Sequence, residues 1–473
     1  MTRFRIRVAA VIVVTGFAVA CRARSAQPPP VAAATPPPVA VPDACTLALA
    51  PDGGAEKSAE KNPEKNTEKN VARGGPSKTD EAIARLQQTA LQHPQPAHRA
   101  AAVNELGQYF ISKARATRDY GYYQRAEASA RCAEALEPGN QQALLLRGHL
   151  LHQEHRFKEA EQLARQLVSR RGLFLDYGLL GDALMEQGKV DEAGEAYQHM
   201  MDLKPFYQSY TRAAHLRWLK GDLPGAIGLM RLAIKAASPR DPESIAWAYS
   251  RLAIYQLQAG RPYDALESCQ SALTFQPAYP PALLARGRVL LAQKRAAEAV
   301  SALQEAVKGD AAPDYQWTLA DAFRAAGRAD EARAIDASIQ QTGTVTDPRT
   351  FALYLATRGE QVDLAVTLAR REMDTRSDVF TLDALGWSLA ASGQAAEADA
   401  VMKRALARGT VDARLFYHAG VIAATRGDET RARQWLRKAR ALQQMLLPSE
   451  QAHVARAWAH MRISNPRQES TTS

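Results

Sequence analysis

Three histidines, His149, His152 and His155, stand three residues apart. On a helix the first two share a face, a spacing by which imidazoles bind a metal ion, so a metal-dependent enzyme is one reading of the chain. No neighbouring cysteine or aspartate completes a ligand set, and polar residues on a groove face are the plainer reading. The chain has no H-E-x-x-H, no phosphate loop G-x-x-x-x-G-K-[ST] and no nucleophile elbow G-x-S-x-G. A non-catalytic protein without metal or cofactor is therefore expected. Four cysteines, Cys21, Cys45, Cys132 and Cys269, are widely spaced with no C-x-x-C pair, and predict neither a zinc site nor a disulfide framework. Cys45 has no evident partner, and Cys269 falls on an apolar helix face as a small buried hydrophobe.

Cys21 has a chemistry of its own. Arg3, Arg5 and Arg7 precede an uncharged run, Val8 to Ala20, that suits a signal-peptide core. The run ends in small residues at Ala18 and Ala20, directly before the cysteine. This arrangement resembles the bacterial lipoprotein processing site, which implies acylation of Cys21 and a lipid anchor facing the periplasm; a soluble periplasmic protein is the alternative. From residue 22 to 78 the chain reads as a solvated tether. Two proline triplets favour extended backbone, and AEKSAEKNPEKNTEKN carries no apolar residue able to build a core beyond its alanines. Such a spacer reaches roughly 40 Å.

The elements that position everything else recur. After a capping helix expected over 79–99, small residues stand at Ala126, Ala160, Ala193, Ala226, Ala265, Ala299, Ala332, Ala365, Ala398 and Ala432, at steps of 33 or 34 residues with one of 39. Twelve residues earlier come Gly148, Gly181, Ala214, Ala253, Gly287, Ala320, Gly386 and Gly420, and turn glycines include Gly188, Gly221 and Gly260. Each period reads as two short helices around a turn, a unit that cannot bury both faces alone and so needs copies of itself. The 39-residue step holds Pro239 and Pro242 and predicts a longer loop. A longer connection is likewise expected through Tyr120, Gly121 and Tyr122. SEQAHVARAWAHMRI, within 448–473, reads as a capping helix with a loose tail.

The period, with LLGDALMEQGKVDEA at Leu179 to Ala193 and LGWSLAASGQAAEA at Leu385 to Ala398, resembles the tetratricopeptide repeat. The resemblance covers about 100–447. It implies an all-α, right-handed superhelix of about ten helical hairpins whose first helices line a concave groove. It also implies that fixed positions of those helices face the groove. Trp218, Trp247, Trp317 and Trp387 fall there, with His149, Asp182, His215, Phe380 and Tyr417. Large rings on such a face suit recognition of an extended peptide. The lysines and asparagines with which some family members clamp chaperone tails are absent, since Leu145, His149, Gly178, Asp182, Thr211 and His215 stand in their places.

The expected function is an exported scaffold that holds a peptide segment or partner protein in its groove, in cell-envelope assembly, secretion or export. A carbohydrate-binding solenoid for polysaccharide export is the rival, because aromatic grooves also stack on sugars. The net charge of +10 is scattered rather than striped, which argues against nucleic acid as a partner. Acylation is directly testable: radioactive fatty acid should label the wild-type protein in cells, and Cys21→Ser should abolish the label. Persistent label on the serine variant would rule out the anchor.

Overall fold

The computed structural model describes residues 42–51, 78–117 and 119–464. The signal segment, Cys21, most of the tether and the tail after residue 464 lie outside them. Every regular element among the described residues is helical. None of these helices is long and apolar enough to cross a membrane. The chain forms two compact units, 1–150 and 151–473.

The first unit holds α1 (Thr46–Leu49), α2 (Lys78–Gln92), α3 (Pro96–Thr117), α4 (Gly121–Leu136) and most of α5 (Gln141–Gln153). Val103, Leu106, Phe110, Ala126, Ala133 and Leu146 form its core. The connection between α3 and α4 is short, because both helices extend into the stretch expected to be loop.

Residues 42–51 also correct the expectation of an unbroken solvated tether. A 3₁₀ turn at Asp43–Cys45 leads into α1, and Cys45 and Ala48 are fully buried. Cys45 is joined to Cys132 on α4 by a disulfide across 87 residues, with Cα atoms 4.5 Å apart. A disulfide is therefore present, contrary to the reading from spacing alone. The segment is held by more than sulfur. Gln87 Nε2 donates to the carbonyls of Ala48 at 3.3 Å and Ala50 at 2.8 Å, and Arg125 donates to the Ala50 carbonyl while its guanidinium covers the Phe110 ring. Small apolar side chains let this one-turn helix settle on α4.

The second unit begins with the last residues of α5 and with α6 (Phe157–Arg170), then stacks eight hairpins. These are α7 (Phe174–Glu186) with α8 (Val190–Leu203), α9 (Tyr207–Leu219) with α10 (Leu223–Ala236), α11 (Pro242–Gln258) with α12 (Pro262–Phe275), and α13 (Pro280–Ala292) with α14 (Ala296–Gly309). They continue as α15 (Pro313–Ala325) with α16 (Ala329–Thr346), α17 (Pro348–Arg358) with α18 (Val362–Thr375), α19 (Val379–Ala391) with α20 (Ala395–Leu406), and α21 (Ala413–Thr425) with α22 (Glu429–Ala441). A last helix, α23 (Pro448–Ser464), follows. Cys269 is fully buried on α12, and burial pushes its thiol up to about 12, so it acts as packing rather than as a nucleophile.

The recurring small residues sit where the two helices of a hairpin cross. Ala193, Ala226, Ala265, Ala299, Ala365, Ala398 and Ala432 have no exposed surface. At Gly287 a Cβ would come within 2.4 Å of Leu303 Cγ on α14, so hydrogen alone fits.

The extra residues of the 39-residue step lengthen the loop as expected, with the connection at 237–241 longer than that at 204–206, but they do not all lie there. Most of them lengthen α11 to 17 residues against 13 for α9. Pro242 takes the first helical turn, where a missing N–H is harmless, and Asp241 caps it by accepting from Ser244 N at 3.2 Å. The additional residue before Ala365 lies in a turn with two left-handed residues, Gly359 (φ 65°) and Gln361 (φ 44°).

Gly287→Ala should lower stability by about 1–3 kcal/mol in thermal or urea unfolding, because the close contact outweighs alanine's better helix propensity. Adding Leu303→Ala should relieve the overlap, so the two substitutions should be non-additive.

Candidate functional site

First helices of the second unit converge on a cavity of about 440 Å³, with residues of α7, α9, α11, α13, α15, α17, α19 and α21 in its wall. It is not the interior of an open trough. Hairpins far apart in sequence touch across the unit: Ser377, before α19, donates its N–H to Glu186 O at 3.0 Å and its hydroxyl to Gln187 O at 2.7 Å. Gly188 makes this approach possible, since a Cβ there would lie 2.4 Å from the Ser377 carbonyl oxygen, and its φ of 70° suits glycine independently. Gln258 Nε2 donates to Val411 O at 2.8 Å, and Ser449 Oγ donates to Asp321 Oδ2 at 2.6 Å.

These contacts gather some of the nine groove residues expected from the sequence and separate others. His215, Trp218 and Phe380 line the cavity together. Trp218 stacks on Phe380 with ring centres 5.8 Å apart, on His215 at 5.7 Å and on Tyr255 at 6.0 Å, while its indole N–H donates to Gln258 Oε1 at 2.7 Å. The indole itself is buried, so His215 and Phe380, both half-buried, present the accessible aromatic surface.

Trp317, Trp387 and Tyr417 lie inside the helix packing. Trp317 is 3% exposed, edge-on to Tyr354 and covered by the Arg414 guanidinium at 5.0 Å. Trp387 donates to Thr357 Oγ1 at 3.0 Å and stacks on His418 at 4.2 Å; the Tyr417 hydroxyl meets His453 Nδ1 at 3.2 Å. Asp182 is committed internally, accepting from Arg212 Nε at 2.8 Å and from the Tyr197 hydroxyl at 2.9 Å. Trp247 is half-buried on α11 and lies outside this cavity, and His149 belongs to the first unit. Of the other two histidines, His155 occupies a left-handed turn position (φ 59°), and both flank the Phe157 ring. Among the described residues no group of three or more His, Cys, Asp or Glu is placed to hold a metal ion.

The charged residues of the wall carried no signal beyond an arginine on several first helices, and the sequence reading missed them. Arg251, Arg288, Arg349 and Arg414 come from α11, α13, α17 and α21. Arg349 pairs with Asp378 at 3.3 Å, and Arg414 with the fully buried Glu450 at 2.6 Å. Burial alone would raise the Glu450 carboxyl, but Arg414 and the Leu447 N–H hold it below the usual carboxylate range. His215 is lowered to about 4, first by burial and then by Arg251, and is a neutral imidazole at neutral pH.

Asp412 behaves oppositely. Burial raises its carboxyl, against the opposing hydrogen bond from Leu415 N. A carboxyl whose folded value is raised binds its proton more tightly in the native state, so its contribution to stability falls as pH rises from the ordinary aspartate range through the raised value. Asp412→Asn keeps the helix cap and removes that titration. Wild type should therefore lose stability relative to Asp412→Asn as pH rises across this window, measured as the difference in melting temperature; a difference independent of pH would refute it.

Models of the tetratricopeptide repeat match residues 177–207, 256–316 and 384–444. Among curated proteins, none matches the chain in sequence. Among solved structures, the crystal structure of the APC/C hetero-tetramer Cut9-Hcn1 is similar at 15% identity and a TM-score of 0.38, over 80% of this chain and 63% of that one. The present chain thus spans under two thirds of that relative. MamA is similar at 18% identity and a TM-score of 0.29, over 34% of this chain and 94% of that one. The pilF protein of Pseudomonas aeruginosa gives 13% identity and a TM-score of 0.37, over 46% and 96%. With three matched segments falling on hairpins whose small residues mark each helix crossing, the chain is a tetratricopeptide-repeat protein.

Proposed function

We propose that this protein is an exported scaffold of the cell envelope, anchored through Cys21, that holds a segment of a partner protein against the inner side of its second unit. Tandem hairpins of this family are a scaffold for protein interaction. The observation that carries the choice of site is the cavity to which first helices of eight different hairpins contribute, with His215 and Phe380 presenting half-buried rings and arginines between them. Rings of that kind bury area at small entropic cost, and arginine adds directional donors.

Export is supported independently by the Cys45–Cys132 bond, since disulfides persist in oxidising compartments and are rare in the cytosol. The same pairing favours an orientation in which the folded body lies on the periplasmic side of the membrane. The peptide reading is preferred over stacking on sugars because Trp218, Trp317 and Trp387, the rings best suited to a carbohydrate, are buried in the packing.

A photoreactive phenylalanine analogue at Phe380 should crosslink an envelope protein in living cells, and the same analogue at Leu232, exposed on α10, should not. Capture of a cytosolic protein, or capture from Leu232 alone, would overturn the proposal.

A further inference from the structure

The cavity of the second unit has an excess of unsatisfied donors. Arg251 makes no ion pair or hydrogen bond among the described residues; its guanidinium faces the rings of Tyr255 at 5.6 Å and Trp218 at 6.0 Å. Arg288 gives one nitrogen to Asp314 at 2.5 Å, yet its buried Nε has no partner. Thr410, 3% exposed, has a buried hydroxyl that is also without one. All three line the same space. A guanidinium has donors and no acceptor, so the half-buried Arg251 and the buried Arg288 Nε together suit an oxygen anion.

The acidic groups in the wall do not answer that call. Asp314 is taken by Arg288, Asp378 by Arg349, and Asp383 by the His418 ring at 2.8 Å. Glu186 and Asp412 are both pushed toward the protonated form, chiefly by burial. Trp218, Ile254, Leu353 and Phe380 supply an apolar wall beside the arginines. A space of about 440 Å³ is of a size to take a small organic molecule, and the contacts from Ser377 to Glu186 and from Gln258 to Val411 close the unit on itself.

We infer that this cavity is a binding site for a small apolar carboxylate, its carboxyl group held by Arg251 with Arg288 Nε and the Thr410 hydroxyl, and its hydrocarbon body against Phe380 and Leu353. The assignment goes beyond the scaffold reading and does not depend on it, and because both use Phe380 a partner segment seated on that ring and the acid would compete.

Calorimetric titration of the full-length protein tests it, with phenylbutyrate as the acid, phenylbutanol as its uncharged counterpart and acetate as a carboxylate with no body. Phenylbutyrate should bind saturably, and the alcohol and acetate about tenfold more weakly or worse, the expected loss for a charge-assisted hydrogen bond or a buried apolar body. Arg251→Gln should weaken phenylbutyrate at least about tenfold while the melting temperature falls only by the small loss of its ring contacts with Tyr255 and Trp218, as Arg251 holds no ion pair or hydrogen bond in the fold. Thr410→Val, a substitution of equal shape, should weaken it by a smaller factor. Equal binding of acid and alcohol, unchanged affinity in both variants, or no binding of phenylbutyrate would each overturn the assignment. Loss of partner crosslinking at Phe380 without loss of phenylbutyrate binding would count against the scaffold proposal alone.

Discussion

Everything in the second unit depends on how closely two helices can approach. Each hairpin has apolar residues on faces that a pair of helices cannot bury by itself, so stability comes from stacking, and stacking requires the two helices of a pair to lie nearly in contact. The chain meets this with alanine or glycine at the crossing point. At Gly181 a Cβ would reach the Tyr197 ring at 2.3 Å, and at Gly420 it would reach Leu436 Cγ at 2.6 Å. Large residues then fill the partner position, and the pattern repeats with the period of the fold. Where it lapses, at Leu353, the turn accommodates an extra residue through two left-handed backbone positions.

Close stacking has a second consequence at longer range. With hairpins packed in succession, the ends of α7 and α11 meet residues 377 and 411, and the inner side becomes partly an interior. Rings positioned by the repeat to face a groove are then divided between two fates. His215 and Phe380 remain at the cavity, while Trp317, Trp387 and Tyr417 become core, each polar edge satisfied or covered by a neighbour such as Thr357, His453 or Arg414. Burial of the indoles also explains the charged framework around them. Arg414 and Glu450 are held together in a setting where neither would tolerate the loss of the other.

The first unit solves a different problem. Its few helices have less surface to bury, and the segment Asp43 to Ala50 supplies both an extra layer and a covalent tie to α4. Closing a loop of 87 residues restricts the unfolded chain, an effect that typically contributes about 2–4 kcal/mol.

The repeat, the all-α class, the small residues at helix crossings and the turn glycines such as Gly188 were legible in the sequence, because these are local or periodic properties that each copy states again. Burial of Cys269 was legible for the same reason. The Cys45–Cys132 pairing, the seam from Ser377 to Glu186 and the arginine-lined cavity were decided by tertiary structure alone. Each joins residues tens to nearly two hundred positions apart. A period tells which face of a helix turns inward, but not how far the stack curves, and curvature is what determines whether an inward ring meets a ligand or another ring.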